Sequence, residues 1–149
     1  MEKVATVRVI FGDTDAMGIV YYGHYLRWFE VGRAELMRRK GFAYREMTEA
    51  DVHLPVIESH AVYRSPARYD DILDIYAEVR EVRGVRLCFG YRIARGDDGK
   101  TMVEGYTVHA FTDSSGRVVR PSERYRSMFI ENDVTRHGGG DTLGSQSGA

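Results

Sequence analysis

The sequence predicts an α+β domain in which one long amphipathic helix covers a face of an antiparallel sheet. Three observations carry that expectation. One strand-like segment precedes a single long helical segment, about five strand-like segments follow it, and the links between those strands are short. Links of hairpin length demand antiparallel pairing, and a lone amphipathic helix can cover only one sheet face. A chain of 149 residues suits one domain. At that size folding buries about 68–70% of the unfolded surface, so a core can form without disulfides or metals.

Thr6 to Phe11 alternates, with Val7, Val9 and Phe11 on one face and Arg8 opposite, and reads as the first strand. Gly12 to Val20 breaks that pattern with two glycines and two aspartates and reads as a loop. From Gly23 to Lys40 the period becomes helical. Leu26, Phe29, Arg33 and Leu36 fall near one line, flanked by Tyr25, Gly32 and Met37. Arg38, Arg39 and Lys40 suit the negative end of the helix dipole, and Gly41 suits a left-handed cap. Gly32 inside the helix costs about 1 kcal/mol against Ala, which points to close packing on something flat.

Ala43 to Ala50 is a candidate short helix. Val52–Tyr63, Ile72–Val82, Arg86–Arg95 and Met102–Phe111 read as strands from their alternation, β-branching and aromatics. Arg83-Gly84 and Asp97-Asp98-Gly99 supply turns between them. Another turn at Asp113–Gly116 leads to a short strand at Val118 and Val119. Pro121 then precedes a last helix, from Ser122 to about Asn132. The expected division is a domain over 1–132 and a Gly/Ser-rich flexible tail over 133–149, with the glycine-rich stretch from Gly138 mobile.

Composition is that of an ordinary soluble protein, 43% hydrophobic and 29% charged, with a net charge of -1. No overall field argues for nucleic acid or an anionic membrane as partner. No signal peptide opens the chain, no apolar run approaches the ~20 residues that span a bilayer, and a cytoplasmic location follows as the expectation. Cys88, the one cysteine, reads as a small buried hydrophobe between Leu87 and Phe89.

The usual catalytic signatures are missing. The sequence holds no G-x-S-x-G elbow, no Walker A loop and no glycine-rich dinucleotide fingerprint. Histidines at 24, 53, 60, 109 and 137 make no metalloprotease motif, and neither a metal nor a cofactor is expected. The loop Asp13-Thr14-Asp15-Ala16-Met17-Gly18 imitates the start of a calcium loop. Met17 offers no oxygen at the fifth position, however, and His24 replaces the bidentate glutamate at the twelfth.

What remains is an aspartate loop that feeds a long helix. The start of a helix has unpaired N–H groups and a partial positive charge, which can polarise a carbonyl. A carboxylate held across from it could attack the activated carbon or deprotonate a water. A thioester is an apt target, because its carbonyl has little resonance stabilisation. Spacing alone favours the plainer reading, in which these aspartates do no more than form a turn and cap the helix.

The wording of the segment adds to that reading. Phe11-Gly12-Asp13-Thr14-Asp15-Ala16-Met17-Gly18-Ile19-Val20-Tyr21-Tyr22-Gly23-His24-Tyr25, continuing to Arg27-Trp28-Phe29-Glu30, closely resembles the signature of the 4-hydroxybenzoyl-CoA thioesterase family, part of the hotdog-fold superfamily. Tyr69-Asp70-Asp71-Ile72-Leu73 resembles the segment that opens the third strand in these proteins. The element order matches over about residues 4–130.

The resemblance implies a hotdog fold, an antiparallel sheet wrapped around the long helix, and hydrolysis of acyl-CoA to free acid and CoA. It implies Asp15 as the catalytic carboxylate and the Tyr22 backbone N–H as the group that polarises the thioester carbonyl, while Asp13 shapes the loop. It also implies homodimers joined edge to edge, or homotetramers, with sites between subunits. Arg83 and Arg86 flank the turn where family members present basic residues to the nucleotide, and Arg can grip a phosphate bidentately. His24 falls two positions after the place where the bacterial acyl-CoA branch has a histidine. It is therefore expected to serve the helix end or the surface. The tyrosines at 21, 22 and 25, with Trp28 and Phe29, are core or acyl-pocket wall, and Arg33 looks toward a carboxylate partner. The alternatives are an acyl-carrier-protein thioesterase and an acyl-CoA-binding protein without turnover.

Overall fold

Five strands form one antiparallel sheet in the computed structural model, which describes residues 1–42 and 44–137. They are β1 (Glu2–Arg8), β2 (Val56–Tyr63), β3 (Ile72–Arg83), β4 (Arg86–Arg95) and β5 (Thr101–Ala110). The helices are α1 (His24–Arg39), α2 (Tyr44–Glu49) and α3 (Glu123–His137). The sheet order is β1-β3-β4-β5-β2, so β1 and β2 are its edges. Consecutive strands β3, β4 and β5 pair through the two turns read from the sequence. The Gly/Ser-rich stretch from Gly138 lies outside the described residues.

β1 begins and ends earlier than its alternation suggested. Its partner β3 starts at Ile72, opposite Arg8, after a left-handed turn at Asp70 (φ 70°). Beyond Arg8 the chain has no strand to pair with. Phe11 instead enters a short 3-10 turn, Phe11–Asp13, and is 81% exposed. β2 likewise starts at Val56, after Pro55, because proline has no N–H for a ladder. Val118 makes only an isolated bridge to Thr112 in place of the expected strand.

α1 ends as its sequence requires. The Phe42 N–H donates to the Met37 carbonyl and the Gly41 N–H to that of Arg38, with Gly41 at φ 91°. That paired pattern needs a residue free to adopt positive φ, which glycine is.

The buried stripe of α1 is Tyr25, Trp28, Phe29, Gly32, Leu36 and Met37. Leu26, expected on the apolar line, is 40% exposed. The stripe turns toward Tyr25 because the helix backbone meets the sheet at Gly32. A Cβ there would stand 2.9 Å from Ile75 Cγ2, with Ala77 and Tyr91 also in contact. Phe29 stacks on Tyr91 at 4.4 Å, its plane tilted 7°. Each large apolar side chain buried in this seam contributes about 1.5–3 kcal/mol. α3 starts at Glu123, capped by Ser122, and runs beyond its expected end to His137. Its Phe129 stacks on Phe42 and meets Phe89 and Phe111 edge-on.

A polar chain crosses this core. The Tyr91 hydroxyl and Thr107 Oγ1 lie 2.6 Å apart, and Thr107 Oγ1 is 2.8 Å from His109 Nε2. His109 Nδ1 is 2.9 Å from the Leu54 carbonyl, to which it donates. Burial keeps the ring neutral near pH 7, which leaves Nε2 as the acceptor from Thr107. Arg33 sits beside Tyr91, with no carboxylate partner among the described residues and a buried Nε that makes no hydrogen bond. The expected ion pair is therefore replaced by contact with a phenol. Cys88 is half-buried on the outer face of β4, because alternation sends Leu87 and Phe89 inward.

Gly32→Val should cost about 1–3 kcal/mol by lifting α1 from β3, against the gain that leaving glycine gives an isolated helix; urea unfolding measures it. Burial, with the nearby Arg33 charge, pushes the His109 pKa down from 6.5 to about 4. The unfolded chain therefore binds that proton more readily, and stability should fall as pH drops from about 6.5 to about 4. Unfolding curves of the wild type and His109→Gln across that range check it, because the variant should lose less.

Candidate functional site

The site lies where the loop after β1 returns to the sheet and releases the chain into α1. Asp13 anchors that return. It is 6% exposed, its Oδ2 accepts the Ile10 N–H at 2.9 Å, and its carbonyl accepts the Tyr21 N–H at 2.9 Å. The loop then folds on itself. The Asp15 N–H donates to the Ile19 carbonyl and the Gly18 N–H to the Asp15 carbonyl, both at 2.9 Å. Val20 joins the far side through its N–H to the Ala67 carbonyl.

Asp15 is half-buried at the turn of this loop. Its Oδ1 accepts the Met17 N–H at 2.8 Å, which fixes the side-chain direction. Oδ2 accepts no hydrogen bond among the described residues.

α1 opens without the usual compensation. Gly23 is the N-cap, no side chain caps the helix, and its first turn has no acidic residue. The His24 N–H donates to the Tyr21 carbonyl at 3.0 Å, and His24 packs edge-on against Tyr21. His24 thus serves the helix end through its backbone and not through a side-chain cap. The N–H groups of Tyr22 and Gly23 meet no acceptor among the described residues. Amides at a helix start have no intrahelical partner and are taken up by a cap, by water or by a ligand.

Beside them opens a cleft of about 320 Å³, lined by Ile19, Val20, Tyr22, Tyr25, Tyr63, Arg64, Ser65 and Pro66. Its walls are aromatic. Tyr63 meets Tyr22 at 6.2 Å and Tyr25 at 5.6 Å, and Tyr25 packs edge-on against Trp28. Arg64, the one cation on its rim among the described residues, is committed to Glu104 through two nitrogens at 2.7 and 3.0 Å. The Tyr25 hydroxyl accepts the Ala67 N–H, and burial pushes its pKa up, so it stays protonated. Tyr22 and Tyr63, both of which line it, expose much apolar surface. A second cleft, beside β1 and the start of β3, is lined by Asp70, Asp71, Asp74 and Asp97 with Lys3. Among the described residues no group of three or more His, Cys, Asp or Glu could hold a metal ion, and no helix is long and apolar enough to cross a membrane.

Sequence-selected residues thus fall into two places. Asp15 and Tyr22 share the loop and helix start. Arg83 and Arg86 pair across the turn at the other end of β3, both exposed and without a carboxylate partner among the described residues. β3 has 12 residues, so at ~3.3 Å each the two places are separated by about 36 Å along the strand. Sequence reading missed Tyr63 and the segment after it. Its only signal was an aromatic residue ending a strand before Arg64-Ser65-Pro66, since the contact with Tyr22 spans 41 positions.

The model of the thioesterase-like superfamily matches residues 9–135. The acyl-CoA thioester hydrolase YbgC of Escherichia coli O6:H1 is 36% identical over 92 residues, 62% of this chain and 69% of that protein. The 4-hydroxybenzoyl-CoA thioesterase of Pseudomonas sp. strain CBS-3 is 25% identical over 122 residues, covering 78% of this chain and 86% of its own length. A solved structure, the hypothetical protein TT1821 of Thermus thermophilus, aligns with a TM-score of 0.80 at 28% identity. That alignment covers 86% of this chain and 97% of the other.

Proposed function

The chain belongs to the thioesterase-like superfamily and has its hotdog fold, and from that premise we propose that it cleaves acyl-CoA thioesters to free acid and CoA. The observation that supports this most is the pair of open amides, Tyr22 and Gly23, at an uncapped helix start beside an aromatic cleft. In this reading the thioester carbonyl oxygen takes the place of the missing acceptor at Tyr22. As the carbon becomes tetrahedral, charge grows on that oxygen. A fixed N–H backed by the helix dipole then stabilises the transition state more than the ground state.

Asp15 is the residue proposed to act on the carbon. Its Oδ2 is uncommitted, while the bond from Met17 holds the carboxylate in one rotamer. The carboxylate either adds to the carbonyl carbon, giving an anhydride that water opens, or takes the proton of an attacking water. Both routes break the carbon–sulfur bond, release the CoA thiolate and leave a carboxylic acid. The acyl group would lie in the cleft, whose walls offer rings and, among the described residues, no unpaired charge.

Arg83 and Arg86 lie at the end of β3 remote from the aspartate loop of their own chain, and in this reading they come from a second copy of the chain. The exposed apolar residues around the cleft mouth support such a partner, since isolated chains seldom leave such patches open. A homodimer or homotetramer with sites between subunits follows.

Asp15→Asn keeps the shape but removes the basic and nucleophilic carboxylate. It should lower kcat at least ~100-fold in a thiol-release assay over short, branched, long and aromatic acyl-CoAs. Activity within tenfold of wild type would remove Asp15 as the catalyst, and tight binding of CoA esters without thiol release would favour a non-catalytic binder. Arg83→Ala with Arg86→Ala should raise KM for acyl-CoA about tenfold with kcat little changed. That effect should be larger at low salt and absent for a thioester lacking the nucleotide.

A further inference from the structure

Tyr63 ends the edge strand β2, and its side chain reaches across to the start of α1. Its hydroxyl donates to the Tyr22 carbonyl, with the oxygens 3.3 Å apart. That carbonyl also accepts the Tyr25 N–H at a long 3.4 Å. Neither bond is short, and together they set the direction of the Tyr22 carbonyl. The ring of Tyr63 packs against Tyr22 and Tyr25 and holds the hydroxyl in place.

The peptide that Tyr63 grips joins Tyr22 to Gly23. A trans peptide points its carbonyl and its N–H in opposite directions, and the described chain has no cis bond. Fixing the Tyr22 carbonyl toward Tyr63 therefore fixes the Gly23 N–H away from it. The preceding peptide is held in the same manner, because the Tyr21 carbonyl accepts the His24 N–H at 3.0 Å. Two successive amides are thereby held open, one by the helix itself and the other by a side chain from the sheet edge. Gly23 has a further constraint, since a Cβ there would stand 2.8 Å from the Tyr21 ring. Tyr21 thus covers the helix start where a side chain at position 23 would otherwise project.

We propose that Tyr63 is a positioning residue for hydrolysis: by donating to the Tyr22 carbonyl it orients the Tyr22–Gly23 peptide, so that the Gly23 N–H joins the Tyr22 N–H in receiving the developing oxyanion. The inference rests on the acyl-CoA thioesterase reading and deepens it by adding a second donor and the group that aims it. Burial, with the neighbouring Tyr22, pushes the Tyr63 pKa up from its ordinary value of 10.0, so the hydroxyl remains a donor throughout the neutral range. Because the bond crosses from β2 to α1, it also ties the amides to the sheet edge.

Tyr63→Phe tests this, because it removes the donor and keeps the ring that walls the cleft. With thiol release from acyl-CoA as the assay, kcat should fall about tenfold while KM stays within twofold and the melting temperature is unchanged. Tyr63→Ala, which also removes the wall, should lower kcat and raise KM. A Tyr63→Phe enzyme with kcat within twofold of wild type overturns the proposal, and so does a change confined to KM, which would make Tyr63 only a wall. The Asp15→Asn variant separates the two ideas. A large kcat loss there with none in Tyr63→Phe sinks the positioning role alone, whereas wild type that releases no thiol from any acyl-CoA sinks both.

Discussion

Much of this molecule follows from one close approach, the backbone of α1 against β3 at Gly32. Without a Cβ at that point the helix axis sits low on the sheet, and Ile75, Ala77 and Tyr91 become its floor. That contact sets the rotation of the helix, which turns Tyr25, Phe29 and Leu36 inward and leaves Leu26 outside. It also sets where the helix begins. The chain must reach that point from the end of β1 within a short loop, and the internal hydrogen bonds of the loop meet the requirement. The passage from the aspartate loop into an uncapped helix start is thus a consequence of how the helix is seated.

The start of α1 is unusual for what it lacks. Helices commonly begin with a serine, threonine or aspartate that satisfies an early N–H. Here the aspartates of the preceding loop serve the loop instead: Asp13 accepts from Ile10 and Asp15 from Met17. The helix dipole is left uncompensated where an aromatic cleft opens. Such an arrangement costs stability, and costs of this kind are characteristic of sites that meet a ligand. The polar chain from Tyr91 to His109 differs, because every one of its hydrogen bonds is met inside the core, with no opening toward the cleft.

The two clusters of sequence-selected residues raise a question of assembly. Arg83 and Arg86 occupy a hairpin tip remote from the aspartate loop of the same chain, although both suit an acyl-CoA site in their chemistry. A strand of β3's length lies between them, and a second copy of the chain is the proposed way to bring such groups to one substrate. Tyr63 ends the outer strand β2, so the helix start is tied to one edge of the sheet.

The sequence by itself determined whatever local periodicity and turn chemistry control. Strands β3, β4 and β5, the helix α1 with its Gly41 cap, and the aspartate loop were legible because neighbouring residues impose them. The close packing at Gly32 was legible too, since a glycine inside a helix needs a tertiary reason. Tertiary structure decided the rest. β1 stops at Arg8 because its partner begins at Ile72. Arg33 meets a phenol where a carboxylate was expected, and Cys88 turns outward while its neighbours face the core. Tyr63 comes to the helix start from 41 positions away. Each of these depends on which distant segment arrives alongside, and hydrophobic period cannot encode that, because it specifies which face is buried and not what will bury it.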